Sequence, residues 1–145
     1  MDVDGTLTDG KIYIGPQGEV FKAFNTKDGL GIKRLREKGI IPVIITGRSS
    51  EIVVARAKEL GIDEIYQGIK DKLAVYRHLV DKYKVNDEEV AFIGDDLNDL
   101  PLLNKVGLSF GVADAVETVR AAVDYVTKQK GGEGAVREAI DLILG

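Results

Sequence analysis

The 145-residue chain contains no cysteine. Disulfides and thiolate-bound zinc are therefore excluded, and a reducing compartment such as the cytoplasm is expected. There is no run of Lys or Arg, and the net charge is −4, so a nucleic-acid partner is not expected. An acidic protein acting on an anion must concentrate its positive charge at the site, through a metal and a few bases. No apolar stretch approaches the length of a membrane span, and no secretory leader pattern stands before the first motif. The single histidine, His78, sits in a helical stretch beside Tyr76, Leu79 and Val80 and is read as structural. What remains, 44% hydrophobic and 30% charged residues, is the make-up of one globular domain with one core, spanning 1–145. One further absence concerns the opening, Met1-Asp2-Val3-Asp4-Gly5. A central parallel strand shows an apolar run before such a turn. None is present, and the expectation is that a few preceding residues are missing.

The segment from Lys11 to Phe24 carries Gly15-Pro16-Gln17-Gly18 between Ile12, Ile14, Val20 and Phe21, which reads as a β-hairpin. A helix with Ile32 and Leu35 follows and ends at Gly39. Ile40 to Thr46 is a buried strand. Ser49 or Ser50 caps a helix that stops at Gly61. A short strand at Glu64–Tyr66 precedes an amphipathic helix from Asp71 to Lys84. Val90–Ile93 is a strand, followed by a helix from Asn98 to Lys105. Then come a strand near Leu108–Phe110, a helix from Ala115 to Ala122, a strand at Asp124–Val126 and a last helix from Ala135 to Leu144. Strands alternating with helices predict an α/β fold: a doubly wound, Rossmann-like parallel sheet with a hairpin insertion at about 11–24. The glycines from Gly131 to Gly134 predict a flexible C-terminal tail at about 131–145, able to reach a neighbouring subunit.

Two acidic motifs follow strands, Asp2-Val3-Asp4-Gly5-Thr6 and Gly94-Asp95-Asp96-Leu97-Asn98-Asp99. Each alone reads equally well as a turn. Together, at the carboxyl ends of strands where open α/β sheets bind ligands, they make an oxygen-rich cluster suited to Mg²⁺. Asp2 and Asp4 are two apart on an extended segment and face one way. One can attack phosphorus while the other moves the proton. Thr46-Gly47-Arg48 ends the buried strand, where a hydroxyl and backbone N–H groups can hold phosphoryl oxygens and Arg48 can grip another anion. Lys72 opens a helix, whose N-terminus already favours anions.

The order Asp…Thr…Lys…Asp resembles the four-motif signature of the haloacid dehalogenase-like (HAD-like) phosphatases over nearly the whole chain. The resemblance implies Asp2 as nucleophile and Asp4 as general acid/base. It also implies Thr46, Gly47 and Lys72 as phosphate binders, and Mg²⁺ held by Asp2, the Asp4 carbonyl and Asp95, with Asp99 supporting the site from behind. The segments Asp9–Asn25 and Arg48–Gln67 are too short for a cap domain. Phe24-Asn25-Thr26-Lys27-Asp28-Gly29 and Gly131-Gly132-Glu133-Gly134-Ala135-Val136-Arg137 are similar to the 3-deoxy-D-manno-octulosonate 8-phosphate phosphatase family. That likeness implies a cytoplasmic homotetramer acting on a small-molecule sugar phosphate in lipopolysaccharide synthesis. Arg48 would meet the sugar carboxylate, and Arg56 matches a second substrate-facing Arg, although as a residue it reads equally as a solvated helix Arg. Alternatives are a phosphatase of nine-carbon keto-acid sugars or of another sugar, and an idle tetramerising module like that on some acylneuraminate cytidylyltransferases. Tyr13, Phe21 and Phe24 of the hairpin lack a basic groove and are read as subunit packing.

Overall fold

Short apolar runs become strands here, and stretches of helical periodicity become the crossovers between them. The computed structural model describes residues 1–145. The elements are β1 (Tyr13–Gly15), β2 (Gly18–Phe21), α1 (Thr26–Glu37), β3 (Val43–Ile45), α2 (Glu51–Leu60), β4 (Glu64–Tyr66) and α3 (Lys72–Tyr83). They continue with β5 (Ala91–Gly94), α4 (Leu100–Leu103), β6 (Leu108–Gly111), α5 (Glu117–Ala122), β7 (Tyr125–Val126) and α6 (Ala135–Leu144). β1 and β2 form the expected antiparallel hairpin, and no folded cap is inserted anywhere.

β3 pairs in parallel with β4, and β6 pairs in parallel with β5 and β7. The first residues join these halves. The Met1 ammonium donates to the Val43 carbonyl at 2.9 Å. The Ile45 N–H reaches the Met1 carbonyl and the Asp2 N–H reaches the Ile93 carbonyl, both at 3.1 Å. The order is therefore β4-β3-(Met1-Asp2)-β5-β6-β7. The expected first strand is present only as this two-residue bridge. Beside it lies an apolar cavity of about 410 Å³, lined among others by Met1, Ile41, Val43, Ala91 and Ile93. Burial pushes the Met1 ammonium down to about 5, with the positive charge of Lys72 adding to the effect.

α1 packs on α2 and α6, while α4 packs on α3 and α5. Between them Val3, Ile44, Ile45, Phe92, Ile93 and Phe110 are buried from both faces, as strands of a parallel sheet must be. Ser50 stands at the N-cap of α2, but its side chain makes no capping bond there and donates to Glu19 instead. Asn25 accepts the Lys27 N–H at 2.9 Å and Asp71 the Ala74 N–H at 3.2 Å. Gly61 ends α2 in the left-handed region, at φ 68°. The expected helix from Asn98 to Lys105 is a 3₁₀ turn, Leu97–Asp99, followed by α4, whose first turn holds Pro101. α5 begins at Glu117, later than the expected Ala115.

The glycine-rich segment differs from expectation. Gly131 donates to Asp114 at 2.9 Å, Gly132 donates to the Thr6 carbonyl at 3.0 Å, and the Asn25 amide donates to the Gly132 carbonyl at 3.2 Å. A Cβ on Gly131 would lie 1.8 Å from the Gly5 carbonyl oxygen. The segment is thus anchored in its own subunit and does not extend as a free tail. Its glycines permit backbone to approach the first acidic loop, and α6 continues into the core through Val136, Ala139 and Ile140.

Close approach also explains Gly31 inside α1. A Cβ there would meet Arg137 Cδ at 3.0 Å and Ile140 Cδ1 at 3.2 Å. A Gly31→Val side chain must push α1 from α6 and should cost about 1–3 kcal/mol, read from the shift of a chemical denaturation curve. An unchanged midpoint would mean that this contact is slack.

Candidate active site

The first acidic loop is wound tightly around one carbonyl. The N–H groups of Thr6, Leu7 and Thr8 all reach the Val3 oxygen, at 3.1, 2.9 and 3.1 Å. The Thr8 hydroxyl accepts from Gly5 N–H at 3.3 Å and Gly10 N–H at 3.2 Å. Gly5 sits at φ +90°, and a Cβ on it would fall 2.0 Å from Asp95 Oδ2. Only glycine lets the two acidic motifs meet here. The second motif is organised by Asp99. Its Oδ2 accepts the N–H groups of Asp95 and Asp96 at 3.0 and 3.3 Å, so the turn after β5 closes on its own carboxylate.

α3 delivers Lys72 as its first residue. Its ammonium is buried and donates to Asp2 Oδ1 at 2.7 Å and Asp99 Oδ1 at 2.6 Å. Oxygens of Asp2, Asp95 and Asp99 lie within 4.8 Å of one another, and the Thr6 hydroxyl donates to Asp95 Oδ1 at 3.1 Å. Both Asp99 oxygens are occupied, one by Lys72 and the other by backbone N–H groups. Thr46 is buried at the end of β3. A Cβ on Gly47 would lie 3.9 Å from the Asn98 amide, so the Thr46-Gly47-Arg48 turn faces the second acidic motif. The structure thus brings together Asp2, Asp4, Thr46, Gly47, Arg48, Lys72, Asp95 and Asp99.

Arg56 is not brought there. Its guanidinium lies 5.7 Å from the Phe24 ring centroid and pairs with Glu59 at 2.8 Å. It points along α2 toward α1, because two helical turns carry it away from the end of β3. Two residues outside the sequence motifs, Lys22 and Glu19, are present instead. Lys22, just past β2, buries its ammonium against Asp4 and lies 3.0 Å from Glu19 Oε2. Arg48 approaches the same two carboxylates, Glu19 at 3.5 Å and Asp4 at 3.9 Å. The available signal was a Glu and a Lys three apart in an otherwise apolar hairpin.

Charge decides what this site lacks. Five carboxylates (Asp2, Asp4, Glu19, Asp95, Asp99) surround three cations (Lys22, Arg48, Lys72). Fully ionised, the group carries −2, the charge that one divalent ion neutralises. Burial pushes the Asp95 carboxyl up to about 8, and the charges of Asp2 and Asp99 add to this. Burial and Asp99 also raise Asp2, against the pull of Lys72. Burial acts to lower the Lys72 ammonium, but Asp2 and Asp99 outweigh it and raise it. An all-oxygen set of this charge fits Mg²⁺.

Comparison with known proteins agrees with this geometry. Residues 64–140 match the family described as haloacid dehalogenase-like hydrolase. The chain is 51% identical over 143 residues to the 3-deoxy-D-manno-octulosonate 8-phosphate phosphatase KdsC of Yersinia pestis, covering 99% of this chain and 76% of that protein. The Escherichia coli K12 protein of the same name is 49% identical over 144 residues, with 99% and 77% covered. Among solved structures, the Moraxella catarrhalis octulosonate phosphatase in complex with magnesium, phosphate and KDO has a TM-score of 0.96 and 49% identity. That match covers 99% of this chain and 83% of that one.

The raised Asp95 has a measurable consequence. Its folded value of about 8 stands above the model-peptide 3.8, so its contribution to stability is full below 3.8 and is lost as pH rises toward 8. A divalent ion at the cluster opposes that loss, because it favours the ionised form. Titrating Mg²⁺ into the protein near pH 7 should therefore release a proton, and affinity should climb with pH up to about 8. Calorimetry in buffers of different ionisation enthalpy measures this. A binding heat independent of buffer would show that Asp95 does not lose a proton to the ion.

Proposed function

This chain belongs to the haloacid dehalogenase-like hydrolase family, and we propose that it hydrolyses 3-deoxy-D-manno-octulosonate 8-phosphate to the free sugar acid and phosphate, with Mg²⁺. The observation that carries this reading is the Lys72 ammonium locked between Asp2 and Asp99 beside Asp95. It is the charge arrangement of a phosphoryl-transfer site, in a chain closely similar to octulosonate phosphatases.

The chemistry follows from the positions. Asp2 attacks phosphorus; one P–O bond forms to its carboxylate as the bond to the sugar oxygen breaks. Asp4, two residues on and held by Lys22, gives its proton to the departing oxygen. It then takes a proton from water, which attacks the aspartyl-phosphate and frees inorganic phosphate and the Asp2 carboxylate. Lys72, with Thr46 and the Gly47 backbone, neutralises the phosphoryl oxygens, the dominant requirement of such transfers. Asp2, the Asp4 carbonyl and Asp95 would hold a Mg²⁺, which would supply further positive charge to those oxygens. Arg48 is half exposed at the mouth of the site, where it meets the sugar carboxylate.

The reading extends to assembly and place. The chain works as a homotetramer, its hairpins packed at the centre. Ile14, Val20 and Phe21 are 67%, 59% and 49% exposed on one small hairpin, a liability for a free edge. The absence of cysteine, expected of a reducing compartment, supports a cytoplasmic reaction that serves lipopolysaccharide sugar synthesis. No helix is long and apolar enough to cross a membrane.

Two experiments test these statements. Asp2→Asn should abolish turnover while keeping the fold, and Arg48→Ala should cost about 2–4 kcal/mol in kcat/KM on the octulosonate phosphate. Arg48→Ala should affect a generic aryl phosphate far less. Equal losses on both substrates would place Arg48 in the phosphoryl site or the fold. Val20→Asp, examined by analytical ultracentrifugation, should convert the tetramer to smaller species; a wild-type monomer with full activity would sink the assembly reading.

A further inference from the structure

Glu19 stands in an unusual position for a carboxylate. It projects from β2 into the mouth of the site, with its side chain only 14% exposed. Oε1 accepts the Ser50 hydroxyl. Oε2 is buried and has no hydrogen bond of its own, although Lys22 Nζ lies 3.0 Å away and Arg48 Nη2 3.5 Å away. Those two contacts are attractions of charge without hydrogen-bond alignment. Lys22 is already committed to Asp4. Arg48, by contrast, remains 48% exposed, and its fork of donors is designed for a planar carboxylate. It contacts Glu19 and Asp4 only at 3.5 and 3.9 Å, too far to satisfy either end of the fork.

We infer that Glu19 is a specificity-determining residue: its carboxylate occupies Arg48 in the free enzyme and gives the guanidinium up to the carboxylate of the substrate. This rests on the reading of Arg48 as the group that meets the sugar acid. The exchange is one of ion-pair partners and breaks no covalent bond. It has two consequences. A substrate with a carboxylate replaces a poorly aligned anion by a well-aligned one, so the loss of the Glu19 contact is repaid. A small anion without the matching planar group gains little, because Glu19 already neutralises Arg48. The hairpin therefore filters ligands as well as covering the site. Glu19 stays bonded to Ser50 at the start of α2 throughout, which keeps the displaced carboxylate near.

The test uses the sugar acid KDO, which carries the carboxylate and no phosphate, as an inhibitor of aryl-phosphate hydrolysis by the full chain. Glu19→Gln keeps the size of the side chain and an acceptor for Ser50 while removing the charge that competes for Arg48. KDO inhibition should tighten by about two- to fivefold, the span of a partly exposed ion pair. In an Arg48→Ala background the same Glu19→Gln change should have no effect on KDO inhibition, as a double-mutant cycle requires for a direct coupling. Weaker inhibition in Glu19→Gln would mean that Glu19 orients Arg48 for the sugar acid, and would overturn the inference. An equal tightening with and without Arg48 would overturn it as well, since the effect would then come through Lys22 or the hairpin. The reading of Arg48 fails separately, when Arg48→Ala alone leaves KDO inhibition unchanged. A Glu19→Leu variant guards against a folding artefact: with the charge gone it should tighten KDO inhibition to a similar degree, and a divergence from Glu19→Gln in direction counts against the exchange.

Discussion

Three buried groups depend on one another at the centre of this molecule: the Lys72 ammonium and the carboxylates of Asp2 and Asp99. None would be stable there alone, because an isolated buried charge costs far more than folding can supply. Together they satisfy much of each other's demand, and the rest of the site is arranged around what they leave unmet. Asp99 spends its second oxygen on the backbone of Asp95 and Asp96. Asp2 gives one oxygen to Lys72 and lies beside Asp95. Asp95 is left short of positive charge, which is why burial drives its carboxyl so high. A cluster this short of positive charge favours a bound cation.

The fold places these groups at its topological switch point. Strands proceed to one side of the Met1-Asp2 bridge through β3 and β4 and to the other through β5, β6 and β7. Loops leaving adjacent strands in opposite directions open a crevice at the carboxyl ends, and all three acidic contributors lie there. The approach is close enough that side chains on the wrong residues would block it. Gly5 clears space for Asp95, and Gly131 clears space for Gly5. The C-terminal segment is thus part of the wall behind the first acidic loop.

The hairpin carries two chemically different sets of side chains. Glu19 and Lys22 turn inward to Asp4, Arg48 and Ser50. Ile14, Val20 and Phe21 remain outward, while Tyr13 and Phe21 stack at 4.2 Å between ring centroids. With no cap domain in the chain, this is the element available to close the crevice from the side. Whatever covers its exposed apolar side chains would also fix the position of Glu19 and Lys22.

Much of this was legible in the residues. Continuous apolar runs identify β3 and β5, helical spacing identifies α3, and the acidic motifs identify Asp2, Asp4, Asp95 and Asp99, because those signals are local and short in range. Lys72 was legible only through its order among the motifs, since a lysine at a helix start is ordinarily solvated. Lys22 and Glu19 were not legible as site residues, nor was the turn of Arg56 toward α1 and away from the site. The glycines at 131–134 carry a local signal for freedom, yet packing against Gly5 and Thr8 removes that freedom. The sequence by itself determined the element order, the layer architecture and the carboxylates available for chemistry, since each depends on neighbours along the chain. The tertiary structure alone decided which long side chains reach the cleft and which glycines are rigid. Both depend on contacts between residues far apart in sequence, whose geometry no local pattern encodes.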